Sequence, residues 1–227
     1  MGIYIIFAIV ALASYLIGAS LKSKFEKYSK IALPSGMSGK EIAERMLADS
    51  GIRDVAVKSV AGQLTDHYHP IDKTVNLSTD VYSGRNIAAA AVAAHECGHA
   101  VQHATAYPWL TMRSRLVPVV NISSRYVQWI LLAGILTVHI FPFLLLAGII
   151  LFALTTLFSI VTLPVEINAS RRAIAWLERT RIADARTAPA AKDALRTAAY
   201  TYVIAALGSL ATLVYYIMIF LNSRRRN

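Results

Sequence analysis

A single cysteine, Cys97, occurs in the 227 residues. No disulfide can close within the chain, which fits a reducing compartment. Acidic residues are also few: 13 Asp and Glu against 23 Lys and Arg leave a net charge of +10. Such a balance raises the question of nucleic acid, but no basic stretch is interleaved with stacking aromatics, and no nucleic-acid partner is expected. Internal repeats and low-complexity linkers are missing. The absence that decides the class is that of charge over long stretches. Residues 3 to 21 carry none, and neither do the forty residues from Tyr126 to Val165. About 20 apolar residues suffice to cross a hydrocarbon core. With a mean hydropathy of +0.50, an ordinary soluble domain is excluded, and the excess of Lys and Arg reads as the basic flanks of membrane spans.

Four spans are expected. The first, within 3–21, has no Lys or Arg before its apolar run and a basic stretch, "KSKFEKYSK", after it. That reads as an uncleaved anchor with its N-terminus outside. The forty-residue stretch makes a pair of spans, turning near His139 and Pro142, and 197–223 makes the fourth, followed by Arg224, Arg225 and Arg226. Arg125 interrupts the second span; it marks the true start, snorkels, or faces a site.

Between the first and second spans the composition is mixed. Ser38 and Glu41 stand at capping-box spacing ahead of Ile42, Met46 and Leu47, so a helix starts there. "VAVKSV" (55–60) reads as a strand, and "LTDHYHPIDKTVNLS" as strand, turn and strand with Pro70 and Asp72 in the turn, giving a small antiparallel sheet. The Ala-rich run after Gly84 is a helix, interrupted only by Gly98.

That helix carries the chemistry. Three of the six histidines fall between 93 and 103, in "AAHECGHAVQH". His95 and His99 are four apart and so share one helical face, where their imidazoles can converge on one cation. Glu96 sits where its carboxylate reaches a water on that cation without binding the metal itself. Two bare imidazoles and a carboxylate buried among alanines would each cost on the order of 2 kcal/mol or more. His103 lies about 12 Å along the helix from His95, too far to join the same ion, and reads as a hydrogen-bonding neighbour. Cys97 faces the other side as a small packing residue, and Gly98 permits close approach of another element. A catalytic zinc needs a third protein ligand and an open position. Among downstream carboxylates Glu166 stands out, at the end of the long apolar stretch in "LPVEINASRRA" after Pro164. It is a candidate ligand, a charge ending a span, or a partner of Arg171 or Arg172.

These stretches, "LTDHYHP…KTVNLS…VY…AVAAHECGHAVQ" followed by "LPVEINASRRA", resemble the bacterial YugP-like neutral zinc metallopeptidases, membrane gluzincins more distantly similar to the HtpX-like and CAAX-prenyl proteases. The resemblance covers most of the chain. It implies one Zn2+ per chain held by His95, His99 and Glu166, with Glu96 as the catalytic residue. The distant relatives tend to carry Asp four residues after the ligand glutamate, where it holds a ligand histidine. This chain has Ser170 there, and Asn168 two residues after Glu166. Family members often show Asp where this chain has His69.

The expected fold is a mostly α membrane protein: about four transmembrane helices plus a small α+β zincin-like catalytic region with the HExxH helix. The expected division is a transmembrane anchor (1–21), the catalytic region (22–115), a two-span hairpin (116–165), a glutamate-ligand helix region (166–196), and a final transmembrane segment with a basic tail (197–227). The expected function is a membrane-embedded zinc metalloendopeptidase acting on a peptide or membrane-protein substrate, with the lipid bilayer as its other partner. A non-catalytic zinc-binding scaffold or pseudoprotease is the alternative; a closed structural site would want a fourth ligand rather than Glu96. A transporter would show several polar residues within its spans, whereas only Arg125 and His139 stand out. His67, Tyr68, Tyr82, Tyr126 and Arg172 are candidates to stabilise the oxyanion, and "TVNLSTDVY" reads either as an edge strand for an extended substrate or as an ordinary strand. Twelve Lys and Arg between 22 and 117, with the Arg-rich 166–196 segment, put the catalytic region on the cytoplasmic side of a multi-pass cell-membrane protein; the three terminal arginines oppose that placement.

Overall fold

The computed structural model of the protein describes residues 2–224. Arg225 and Arg226 of the expected basic tail lie outside them. In chain order the elements are α1 (Gly2–Ser29), α2 (Gly39–Asp49), β1 (Ala56–Val60), β2 (His67–His69), β3 (Thr74–Ser78), α3 (Thr79–Ser83), α4 (Ile87–Ala104), α5 (Pro108–Leu136), α6 (Pro142–Arg179) and α7 (Ala188–Arg224). The protein is mostly helical with one small sheet. Among the described residues four helices are long and apolar enough to cross a membrane: Ile5–Ser29, Pro108–Leu136, Pro142–Arg179 and Ala188–Ser223.

The chain forms two compact units. The first gathers Met1–Leu16, Thr111–Leu163 and Thr201–Asn227, and so contains α5 with the apolar parts of α1, α6 and α7. Residues 137–141 make the turn between α5 and α6, as the forty-residue apolar stretch with its central His139 and Pro142 predicts. Val127, Leu131, Leu145, Ile149 and Phe220 are buried together in its core. A Cβ on Gly134 would stand 2.6 Å from the Leu145 Cα; a small residue at this point lets two apolar helices touch where lipid offers no hydrophobic drive to hold them together. Ile122, Trp129, Leu132, Leu136 and Phe143 are exposed, the surface expected where the solvent is hydrocarbon. Arg125 is exposed on α5.

The second unit comprises Ile17–Leu110 and Pro164–Tyr200. Its helix α2 starts where the capping box predicts: Ser38 Oγ accepts from the Glu41 amide, and the Glu41 carboxylate accepts from the Ser38 amide at 2.7 Å. Ile42, Ala43, Met46 and Leu47 on one face of α2 enter a core shared with Val75 and Leu77 of β3, the alanines of α4, and Trp176 and Leu177 of α6. Asn86 caps α4, its side chain accepting from the Ala89 amide at 2.9 Å. Lys24 and Tyr28 of α1 both donate to Asp193 of α7, at 2.8 and 2.6 Å.

The sheet differs from expectation in two ways. Its order is β1-β3-β2, with β1 parallel to β3 and only β2 antiparallel to it. It is therefore mixed rather than antiparallel. The reason is that the chain reverses between β1 and β2 and again between β2 and β3, so β3 runs parallel to β1, beside which it lies. The stretch "TVNLSTDVY" is consequently not an edge: β3 is the central strand, buried at all five positions, and Thr79–Ser83 is helical. Both hydrogen-bonding edges of β3 are occupied, which leaves it none with which to bind an extended peptide.

Helix α6 is one continuous element. Pro164 lies inside it rather than at a helix start, although its missing amide forgoes the bond to the Ile160 carbonyl. Burial holds the helix through this point: Val161, Val165 and Ala169, one turn apart, are at most 1% exposed.

Candidate metal centre

Helix α4 presents His95 and His99 one turn apart, their rings edge to face with centroids 4.8 Å apart. Helix α6 brings Glu166 against them. Glu166 Oε2 lies 3.3 Å from His95 Nε2 and 3.6 Å from His99 Nε2. One donor atom from each of the three residues falls within 4.8 Å of the other two. Two imidazole nitrogens and one carboxylate oxygen are a donor set that suits zinc, and separations of 3.3 and 3.6 Å are those of donors placed about one ion at bonds of about 2 Å. His99 and Glu166 are buried, while His95 is partly open, so solvent meets the cluster from the His95 side. Burial, the largest influence, opposes a charge on His99, but the Glu166 and Glu96 carboxylates and the Gln102 contact together outweigh it and hold the imidazole pKa above its ordinary value. The pocket thus favours positive charge.

The approach of the two helices depends on Gly98. A Cβ there would stand 2.6 Å from the Ala169 carbonyl oxygen and 3.1 Å from its carbon. Backbone lies against backbone at that level, one residue before His99 on α4 and one turn beyond Glu166 on α6.

The remaining residues singled out from sequence sort as follows. Glu96 is 7% exposed, and its charge is felt by His99. Cys97 is fully buried, with its thiol against the Ala43 carbonyl at 3.5 Å. His103 stands apart from the cluster: its Nδ1 is 2.8 Å from the Tyr68 hydroxyl, and the two rings meet at 5.8 Å. His67 bonds the Thr65 carbonyl oxygen and Asn76. Tyr82 lies under Lys40. Tyr126 is exposed on α5. Arg172 donates from Nε to Asn168 Oδ1 at 2.8 Å. Among the described residues, the group able to hold a metal comprises His95, His99 and Glu166.

Sequence reasoning left open what orients the histidines. Ser170 Oγ stands 3.1 Å from His95 Nδ1, at the position where distant relatives carry Asp. His99 Nδ1 meets Gln102 Oε1 at 3.1 Å. The Gln102 amide also donates to the Val165 carbonyl at 2.8 Å and to Asn168 Oδ1 at 3.0 Å. Gln102 was not among the residues singled out from sequence. Its i, i+3 spacing from His99 and its place on the buried side of α4 were the available signals.

Two histidines one turn apart on α4 thus meet a carboxylate from α6 in a group that could hold a metal ion, in a chain whose described residues include four membrane-length helices. Residues 3–221 match the family model described as "Putative neutral zinc metallopeptidase", and the chain belongs to that family. It is 43% identical over 226 residues, 99% of this chain and 100% of the relative, to the Bacillus subtilis (strain 168) protein described as "Putative membrane protease YugP". No solved structure matches it. The protein is thus a membrane member of a zinc metallopeptidase family, and zinc is its metal.

Proposed function

We propose that the protein is a membrane metalloendopeptidase in which His95, His99 and Glu166 hold one zinc ion and Glu96 moves the proton. The observation that carries this reading is the convergence of three donor atoms from two helices within 4.8 Å. Zinc bound there supplies Lewis acidity to the scissile carbonyl and lowers the pKa of a water toward about 7. Glu96 follows His95 on the helix, roughly 100° around it, on the flank of the face that His95 and His99 share. Its carboxylate accepts the proton of the attacking water and returns it to the departing amine. Near-complete burial keeps bulk water from competing for that proton. Peptide bonds are the substrate class, presented by a polypeptide at the bilayer or by a membrane protein.

The catalytic residues belong to segments 22–115 and 166–196, and the hairpin 116–165 returns the chain to the side it left, since two crossings cancel. The excess of Lys and Arg in both segments supports a cytoplasmic orientation for them, against the three terminal arginines. Comparing the proteomes of membranes that carry the wild type or Glu96→Gln tests the reading. Peptides produced by the wild type and absent from the variant, with zinc content equal, support a peptidase. Equal peptide profiles from two zinc-loaded proteins would favour a zinc-binding scaffold instead.

A further inference from the structure

We propose that Gln102 is the positioning residue that fixes the tautomer of His99 and locks the HExxH helix to the glutamate helix. This rests on the assignment of His99 and Glu166 as ligands. The side chain of Gln102 is fully buried and makes three polar contacts whose direction can be read. At one end of the chain of contacts is Arg172, a guanidinium that can only donate. It donates to Asn168 and so requires the oxygen of that amide to face it. That oxygen, together with the Val165 backbone carbonyl, which can only accept, claims both hydrogens of the Gln102 amide nitrogen. Gln102 must therefore turn its own oxygen to His99 Nδ1. An oxygen there requires a proton on Nδ1, so in the neutral ring that binds a metal the lone pair is on Nε2, the atom that faces Glu166.

The polarity of the whole relay is thus set by two groups that cannot reverse it, a guanidinium and a peptide carbonyl. The carbonyl belongs to the residue before Glu166, so one amide orients a ligand on α4 and grips α6 beside the third ligand. The Ser170 hydroxyl beside His95 can donate or accept; it orients that ring without choosing its tautomer. Neither histidine leans on a carboxylate in these contacts, which makes the Gln102 amide the directional element of the site.

The test is a zinc titration against a chromophoric chelator on the full chain in detergent, for the wild type, Gln102→Met and His99→Ala. Methionine keeps nearly the volume of glutamine, so a merely packing role would survive the exchange. Loss of a histidine's outer partner typically weakens metal binding by 10–100-fold. We expect Gln102→Met to weaken zinc binding by that factor, with an unchanged helical circular-dichroism spectrum and an altered visible spectrum of the cobalt-substituted site. Zinc binding by Gln102→Met within threefold of wild type, while His99→Ala loses zinc, would overturn the proposal and leave the ligand assignment standing. Retention of zinc by His99→Ala would overturn the ligand assignment itself. Should Gln102→Met not fold, 15N spectra of the zinc-loaded wild type with labelled histidine decide. Ligation of His99 through Nε2 with a proton on Nδ1 is expected, and ligation through Nδ1 refutes the relay.

Discussion

Replacing Gly98 by alanine tests whether helix contact, rather than ligand chemistry alone, sets the metal site. The added methyl would sit 2.6 Å from the Ala169 carbonyl oxygen. Ordinary contact begins near 3.4 Å, so α4 and α6 must part by about 0.8 Å at this level or tilt to the same effect. The obstacle is backbone on both sides, which rules out relief by a rotamer change. Overpacking of this kind costs about 1–3 kcal/mol, and the better helix propensity of alanine returns up to about 1 kcal/mol. The fold therefore survives, with a net loss of up to about 2 kcal/mol. The metal site does not fare as well. Coordination distances tolerate roughly 0.2 Å, whereas Glu166, one turn from Ala169, moves with its helix by several times that amount. We expect Gly98→Ala to keep its helical spectrum, to unfold at a slightly lower temperature as the zinc-free protein, and to bind zinc at least tenfold more weakly. Competition with a chromophoric chelator reads the affinity, and thermal unfolding in detergent reads the fold. Wild-type zinc affinity in a folded Gly98→Ala protein would refute the claim that backbone contact sets the ligand spacing.

Glu166→Gln should weaken zinc binding by tenfold or more, because the charged member of the donor set is lost while its shape is kept; metal content after dialysis checks this. Cys97 has its thiol pKa pushed up by burial, so a maleimide at pH 8 should leave the folded protein unmodified and label it stoichiometrically after denaturation, read by mass spectrometry. A cysteine placed at Lys40, on α2, should resist an impermeant reagent added to intact cells and react after lysis; labelling from outside would reverse the topology drawn from the charge count.

The residues that carry the site were legible because their spacing encodes geometry. The four-residue separation of His95 and His99 means one helical face whatever the rest of the chain does, and the capping box of Ser38 and Glu41 is local as well. Glu166 was visible as a carboxylate closing an apolar run, but its meeting with α4 is a tertiary fact. So are the Gln102 contacts: an amide offers hydrogen bonds in every direction, and only packing decides which are made. The sheet order escaped for the same reason. Alternation marks strands without saying which pair, so the central place of β3 and the parallel pairing of β1 could not be read. Local rules disfavour proline inside a helix, yet Pro164 lies within α6, where burial of the residues around it prevails.

The distance in sequence between the two halves of the centre has a consequence for biosynthesis. His95 and His99 precede Glu166 by about 70 residues, and the intervening chain is the apolar helix pair. At roughly 5–20 residues per second, the histidines wait on the order of several seconds for the carboxylate, and the helix pair must enter the bilayer before it can arrive. With Glu166 as a ligand, a nascent chain cannot assemble the zinc site, and so cannot cleave its neighbours at the insertion machinery, until its own membrane integration is nearly finished. The order of translation then acts as a safety catch that needs no propeptide.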